Sequence, residues 1–183
     1  MPGKVYGVVL HLALVALCGV TLLLVQQNRE LRNVLTPNPP PIKTGYTAAA
    51  TEVAGLDGTV RTLSWPAAER DHLLLVFTTT CPACQDNQGP WQALHERLGE
   101  DLDVLGVSLD PVDATVAYRE EQRLPFQTVA ATNREAFVEA FDISAVPFTV
   151  HIGSDGKVRG AWRGVLSSKQ IGQIEASVQN HPS

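Results

Sequence analysis

Cysteine is scarce in this chain, with three in 183 residues, so a disulfide-stapled scaffold is excluded. The fold must rest on apolar packing, and 44% hydrophobic residues at this length can build one ordinary domain plus an appendage. Basic residues are also few: 14 Lys and Arg face 19 Asp and Glu, a net charge of −5. Residues 1–45 hold Lys4, Arg29, Arg32 and Lys43 against Glu30, a net +3, so the remainder carries −8. An acidic domain with no basic stripe argues against nucleic acid as a partner. Met1 is the only methionine, and His11, His72, His95, His151 and His181 stand singly. No methionine-rich or histidine-rich tract is therefore present to bind metal, and no internal repeat is visible.

What is present is a run from Leu73 to Pro90, LLLVFTTTCPACQDNQGP. Leu73 to Phe77 reads as a strand buried on both faces, and Pro82 suits the first turn of a following helix. Cys81 then falls at the helix start, where unpaired backbone N–H groups and the helix dipole favour a thiolate over a thiol. Such positions lower a cysteine pKa from about 8.5 to roughly 3.5–7.5. Cys84, three residues on, lies about one helical turn away, within reach of a mixed disulfide formed at Cys81. The alternative at this spacing is half of a zinc site, which would need a second Cys or His pair. The redox reading is preferred because the pair sits in a strand-turn-helix context.

Val5 to Val25 is almost wholly apolar over 21 positions, about the length that crosses ~30 Å of hydrocarbon as a helix. No small-x-small cleavage site precedes Gln26, and Leu17 occupies the place where a lipoprotein signal before Cys18 would need a small residue. We therefore expect an uncleaved anchor over residues 5–27, with a cleaved leader as the alternative. His11 is placed at the interface and Cys18 against lipid. Flanking positive charges are nearly balanced and do not decide the orientation. Residues 28–45 form a linker in which Thr36 to Pro41 (TPNPPP) makes an extended spacer, and residues 46–183 form the domain.

Within the domain, Glu52 to Leu63 reads as a hairpin turning at Asp57-Gly58, followed by a short helical turn over Pro66 to Arg70. Trp91, Leu94 and Leu98 make one buried stripe, which places Trp91 in the core. Leu102 to Leu109 is a strand, Val112 to Gln122 a helix and Phe126 to Ala130 a short strand. Asn133 caps a helix whose apolar face is Ala136, Phe137, Ala140 and Phe141. Val146 to Ile152 is a strand opened by proline, Ser154-Asp-Gly turns it into Lys157 to Trp162, and a last helix buries Ile171, Ile174 and Val178. Alternating strands and helices imply an α/β mixed sheet with helices on both faces.

Strand-Cys-Pro-Ala-Cys-helix, a Val-Pro pair whose Pro147 lies 63 residues after Cys84, and a closing hairpin followed by a helix resemble the thioredoxin superfamily. The N-terminal apolar span, proline spacer and leading hairpin resemble its membrane-anchored TlpA/ResA-like branch. The resemblance covers residues 46–183. It implies Cys81 as the attacking cysteine, Cys84 as the resolving one and Pro147 as a cis proline beside them. It also implies that the Val146 backbone pairs with an extended substrate segment, with Thr80, Pro82 and Ala83 completing the substrate-binding surface. No metal and no cofactor beyond a redox-active Cys81–Cys84 disulfide is implied.

Four positions depart from the family pattern. Thr80 replaces the usual aromatic residue before the first cysteine, and Pro90 comes six residues after Cys84, one later than usual. The acid that assists proton transfer in this branch would fall on Asn87 or Gln88, both amides, while the adjacent Asp86 should point elsewhere. Leu75 replaces the acid that thioredoxin itself buries. The proton-accepting partner is thus unassigned by the sequence.

The expected function is a membrane-tethered thiol–disulfide oxidoreductase. By resemblance its domain lies outside the cytoplasmic membrane, reduces disulfide-bearing clients such as apocytochrome c or copper-centre proteins, and is recharged by a membrane electron donor. Two alternatives stand beside it. A peroxiredoxin-type thiol peroxidase is suggested by Thr78, three before Cys81, although Leu74 stands where that site wants proline and a distant resolving cysteine is lacking. A Cu(I)-binding carrier would use Cys81 and Cys84 as soft thiolate ligands.

Overall fold

A computed structural model describes residues 11, 14–27, 43–65 and 70–179. The chain divides into two compact units, Met1–Pro41 and Ile42–Ser183. In the first, residues 14–27 are helical, and Leu14, Val15, Leu17, Val20 and Leu22 to Val25 all expose their apolar side chains. Among the described residues no helix is long and apolar enough to cross a membrane. The opening of the expected anchor, the proline-rich spacer and the expected helical turn at residues 66–69 lie outside the described residues.

The second unit is built on a seven-stranded sheet in the order β2-β1-β5-β4-β3-β6-β7. Its strands are β1 (Thr51–Gly55), β2 (Val60–Leu63), β3 (His72–Phe77), β4 (Asp103–Ser108), β5 (Gln127–Ala131), β6 (Phe148–Ile152) and β7 (Val158–Arg163). The helices are α1 (Pro82–Asp86), α2 (Gln88–Leu98), α3 (Val112–Gln122), α4 (Arg134–Ala140) and α5 (Ser168–Gln179). β3 pairs parallel to β4 and antiparallel to β6, and β4 pairs parallel to β5. β1 and β2 form the leading hairpin, with Gly58 at φ +82° in its turn, a conformation that glycine adopts without a Cβ penalty.

Period-2 alternation in β3 divides its side chains between two cores. Leu74 and Val76 pack with Phe137, Phe141 and Trp65 on the α4 face. Leu73, Leu75 and Phe77 pack with Trp91, Leu94, Tyr118 and Ile174 on the face covered by α2, α3 and α5. Trp91 is core, as expected: it is 2% exposed and its indole donates to Thr149 Oγ1 at 3.0 Å.

Three local expectations change. The helix after Cys81 is broken at Asn87, which ends α1 and caps α2, so Pro90 falls in the first turn of α2, where its missing N–H costs nothing. The late proline thus marks a second helix start. β6 begins at Phe148, not Val146, because Pro147 has no N–H for the ladder and the Val146–Pro147 peptide is cis. In α4, Phe137 and Phe141 are buried but Ala136 is exposed.

At the start of β3 lies a buried polar network. Asp71 Oδ2 meets His151 Nε2 at 2.9 Å, His151 Nδ1 meets Ser177 Oγ at 2.6 Å, and Asp71 Oδ1 accepts from the Ser154 N–H at 2.7 Å. It ties β3, β6, α5 and the β6–β7 turn together at the end of the sheet farthest along β3 from the cysteines.

Candidate active site

β3 delivers the chain into Thr78, Thr79 and Thr80, and α1 begins immediately after Cys81. Cys81 is the N-cap, with extended backbone at φ −88° and ψ 112°, and Pro82 occupies the first helical turn. The Cys81 sulfur accepts a hydrogen bond from the Cys84 N–H at 3.2 Å, the capping role that serine or aspartate oxygen fills elsewhere. A backbone donor thus points at the sulfur of the pair that is partly open to solvent. Both cysteines are free thiols, and Cys84 is wholly buried behind Cys81.

The surroundings treat the second sulfur differently. Burial pushes the Cys84 thiol up from an ordinary 9.0 to about 12, and its hydrogen bond to Cys81 works in the same direction. The Thr78 backbone donor opposes this, while the charges of Cys81 and Asp110 add to it. Cys84 therefore stays a thiol at neutral pH and donates toward Cys81. The pair is an exposed sulfur poised to attack and a hidden one held in reserve.

Opposite the pair, the cis Val146–Pro147 peptide brings the Val146 carbonyl to 3.9 Å from the Cys81 sulfur. Pro147 is buried and its carbonyl accepts from the Gly164 N–H at 2.8 Å, which binds the loop after β7 to this turn. Of the other residues expected at the substrate surface, Thr80 and Pro82 are exposed and Ala83 is half-buried, all beside Cys81 in the chain. The fold thus gathers Thr80, Cys81, Pro82, Ala83, Val146 and Pro147 at one end of the sheet.

The amides at the family's acid position are both engaged. Asn87 is fully buried, and its Oδ1 accepts from the Leu166 N–H at 2.9 Å. Gln88 Nε2 donates to Tyr118 Oη at 2.9 Å, and Tyr118 stacks on Phe77. Burial raises the Tyr118 phenol, with the Gln88 bond opposing and the two cysteines adding to the rise. Asp86 is exposed.

Two residues near the thiols escape a reading of the sequence. Tyr118 sits in the middle of α3 with no motif around it. Asp110, just past β4, accepts from the Thr79 N–H at 2.6 Å and from Thr79 Oγ1 at 2.8 Å. The only available signal was that a polar Ser-Leu-Asp-Pro ends a strand parallel to the one that carries the cysteines. Among the described residues no group of three or more His, Cys, Asp or Glu is placed to hold a metal ion.

An N-capping cysteine with a buried partner one turn on, facing a cis proline across such a sheet, defines a redox enzyme of thioredoxin-like type. The AhpC/TSA family model matches residues 44–161. The chain belongs to the AhpC/TSA family, a thioredoxin-fold family. No curated protein matches it. Similar solved structures share the fold at low identity. The thioredoxin domain of a thiol-disulfide oxidoreductase from Bacteroides vulgatus superposes with a TM-score of 0.63 at 17% identity, covering 75% of this chain and 99% of that one. Peroxidoxin BcpB from Mycobacterium tuberculosis gives 0.63 at 21% identity, with coverage of 78% and 99%. A thiol:disulfide interchange protein from Bacteroides sp. gives 0.65 at 17% identity, with coverage of 75% and 91%.

Proposed function

We propose that the chain is a membrane-tethered thiol–disulfide oxidoreductase that reduces disulfides in extracytoplasmic client proteins. The observation that carries this reading is the asymmetry of the dithiol, in which Cys81 caps a helix at the surface while Cys84 is sealed behind it. In the cycle, the Cys81 thiolate attacks one sulfur of a client disulfide, the client S–S bond breaks, and one client thiolate leaves and takes a proton. Cys84 then loses its proton and attacks the Cys81 sulfur. The mixed disulfide breaks, the second client thiol is released, and the Cys81–Cys84 disulfide holds the two electrons' worth of oxidation. A membrane electron donor returns it to the dithiol.

The client would be an extended segment whose backbone lies along Val146, beside Pro147, Thr80, Pro82 and Ala83. The tether is supported by the apolar run from Val5 to Val25 and by the exposed apolar side chains of residues 14–27. Apocytochrome c and copper-centre proteins are the client classes that the TlpA/ResA resemblance suggests, and the same resemblance places the domain outside the cytoplasm.

Equilibration of the Cys81/Cys84 couple with glutathione tests the direction. A reducing couple, near or below the roughly −270 mV of thioredoxin, is expected. A value near −120 mV, that of a strong oxidant, would reverse the proposed electron flow.

A second reading, thiol peroxidase, is favoured by the AhpC/TSA family match and the likeness to a peroxidoxin. Under it, hydrogen peroxide would convert Cys81 to a sulfenic acid quickly even in Cys84→Ser, whereas the oxidoreductase reading expects slow peroxide reaction and rapid disulfide exchange.

A further inference from the structure

A client laid along Val146 has a further neighbour at the end of β7. β7 pairs antiparallel with β6 so that Arg163 stands opposite Phe148, and the register runs one step further, where the Gly164 N–H donates to the Pro147 carbonyl at 2.8 Å. Arg163 therefore closes its strand beside the cis Val146–Pro147 turn, whose Val146 carbonyl lies 3.9 Å from the Cys81 sulfur. Two strand spacings, about 10 Å in all, separate the Arg163 backbone from a client backbone paired at Val146. An arginine and a glutamate side chain span that gap together.

Arg163 also differs from the other arginines near it and along the sheet. Arg159 on the same strand holds Asp155 at 3.0 Å, Arg134 meets Asp110 at 3.7 Å, and Arg97 meets Glu175 at 2.6 Å. Among the described residues Arg163 has no such partner: its side chain is half-buried, and its Nε is sealed from water without a hydrogen-bond acceptor. Burying part of a guanidinium in this way costs free energy that nothing within the domain offsets. The cation is left for an acceptor from outside the chain.

We propose that Arg163 is a specificity-determining residue: its guanidinium binds a carboxylate of the client within two residues of the attacked cysteine, so that acidic sequence beside a disulfide is preferred. This rests on the reading of Cys81 as the thiol that attacks a client lying along Val146. A carboxylate matches the planar fork, which can hold both of its oxygens. Attraction by net charge would have the opposite sign, because residues 46–183 carry −8 and repel an acidic client at long range. The preference is therefore local to the groove.

Model clients for the test are disulfide-linked dimers of one short single-cysteine peptide, so that both sulfurs have the same neighbours. Glu, Gln or Lys is placed at each position within two residues of the cysteine, and reduction by the reduced full-length chain in a Cys18→Ser background is acid-quenched and resolved by chromatography. At low salt the best-placed Glu peptide should react about three- to fivefold faster than its Gln counterpart, the upper range for a partly exposed ion pair, and the Lys peptide should be slowest. The advantage should shrink at 1 M salt. Arg163→Gln should abolish the Glu preference, Arg163→Glu should turn it toward Lys, and Arg163→Lys should keep it. Arg61→Gln removes an equal charge from β2, the opposite edge of the sheet, and should leave the preference as in the parent. Glu peptides no faster than Gln peptides at every position, or a preference that survives Arg163→Gln or falls equally in Arg61→Gln, overturns the proposal. If the parent reduces none of the peptides, or Cys81→Ser reduces them as the parent does, the oxidoreductase reading itself fails instead.

Discussion

Replacing Cys81 with serine is expected to reduce insulin-disulfide reduction to the uncatalysed background while leaving the fold intact. A serine hydroxyl can still accept the Cys84 N–H as an N-cap, so the helix start keeps its hydrogen bond and little stability is at stake. What is lost is the thiolate, the species that exchanges with disulfides. Unfolding midpoints within a few degrees of the parent, together with a complete loss of turnover, would separate chemistry from structure. Turnover above a tenth of the parent would mean that another sulfur performs the attack, and Cys84 is too deeply buried to do so without a local opening.

The largest effect on stability is expected far from that sulfur, at Asp71. This residue is 3% exposed and its carboxylate joins His151 and the Ser154 N–H. Asp71→Ala withdraws the shared acceptor from the His151 ring and the Ser154 N–H and should cost about 2–4 kcal/mol, since each buried donor left without a partner costs roughly 1–3 kcal/mol. In a chain of this size that corresponds to a fall in Tm of roughly 4–16 °C. β3 separates Asp71 from the cysteine loop by six residues, about 20 Å of strand. Activity per folded molecule should therefore survive at temperatures well below the lowered midpoint. A loss under about 1 kcal/mol in urea unfolding would show that the network contributes little, and a loss of activity without loss of stability would link it to the site.

This division of labour also explains what the sequence made legible. The cysteines could be placed because their spacing, the strand before them and Pro82 after them act within one turn of chain, and local rules decide such features. Pro147 could be placed because a Val-Pro pair before a strand of the right order is itself a pattern. The break at Asn87 was visible only as a proline one residue late: Pro90 cannot bond back to Asp86, the last residue of α1, whereas the Leu166 N–H that engages the Asn87 side chain comes from 79 residues away. Asp110 and Tyr118 were hidden for the same reason. Each reaches the site through the parallel pairing of β3 with β4 or the crossover that follows, and an isolated acid or phenol in the sequence carries no mark of that approach. The Asp71–His151–Ser177 network was likewise out of reach, because its members stand on three elements and join only when the sheet closes.

The account turns on which sulfur meets the client. Incubating the reduced Cys84→Ser protein with a disulfide-bearing peptide and mapping the adduct by mass spectrometry addresses this directly. The expected result is a single stable mixed disulfide at Cys81 that persists because no buried thiol remains to release it. A client attached through Cys18, or no adduct under conditions in which the parent chain reduces the peptide, would contradict it.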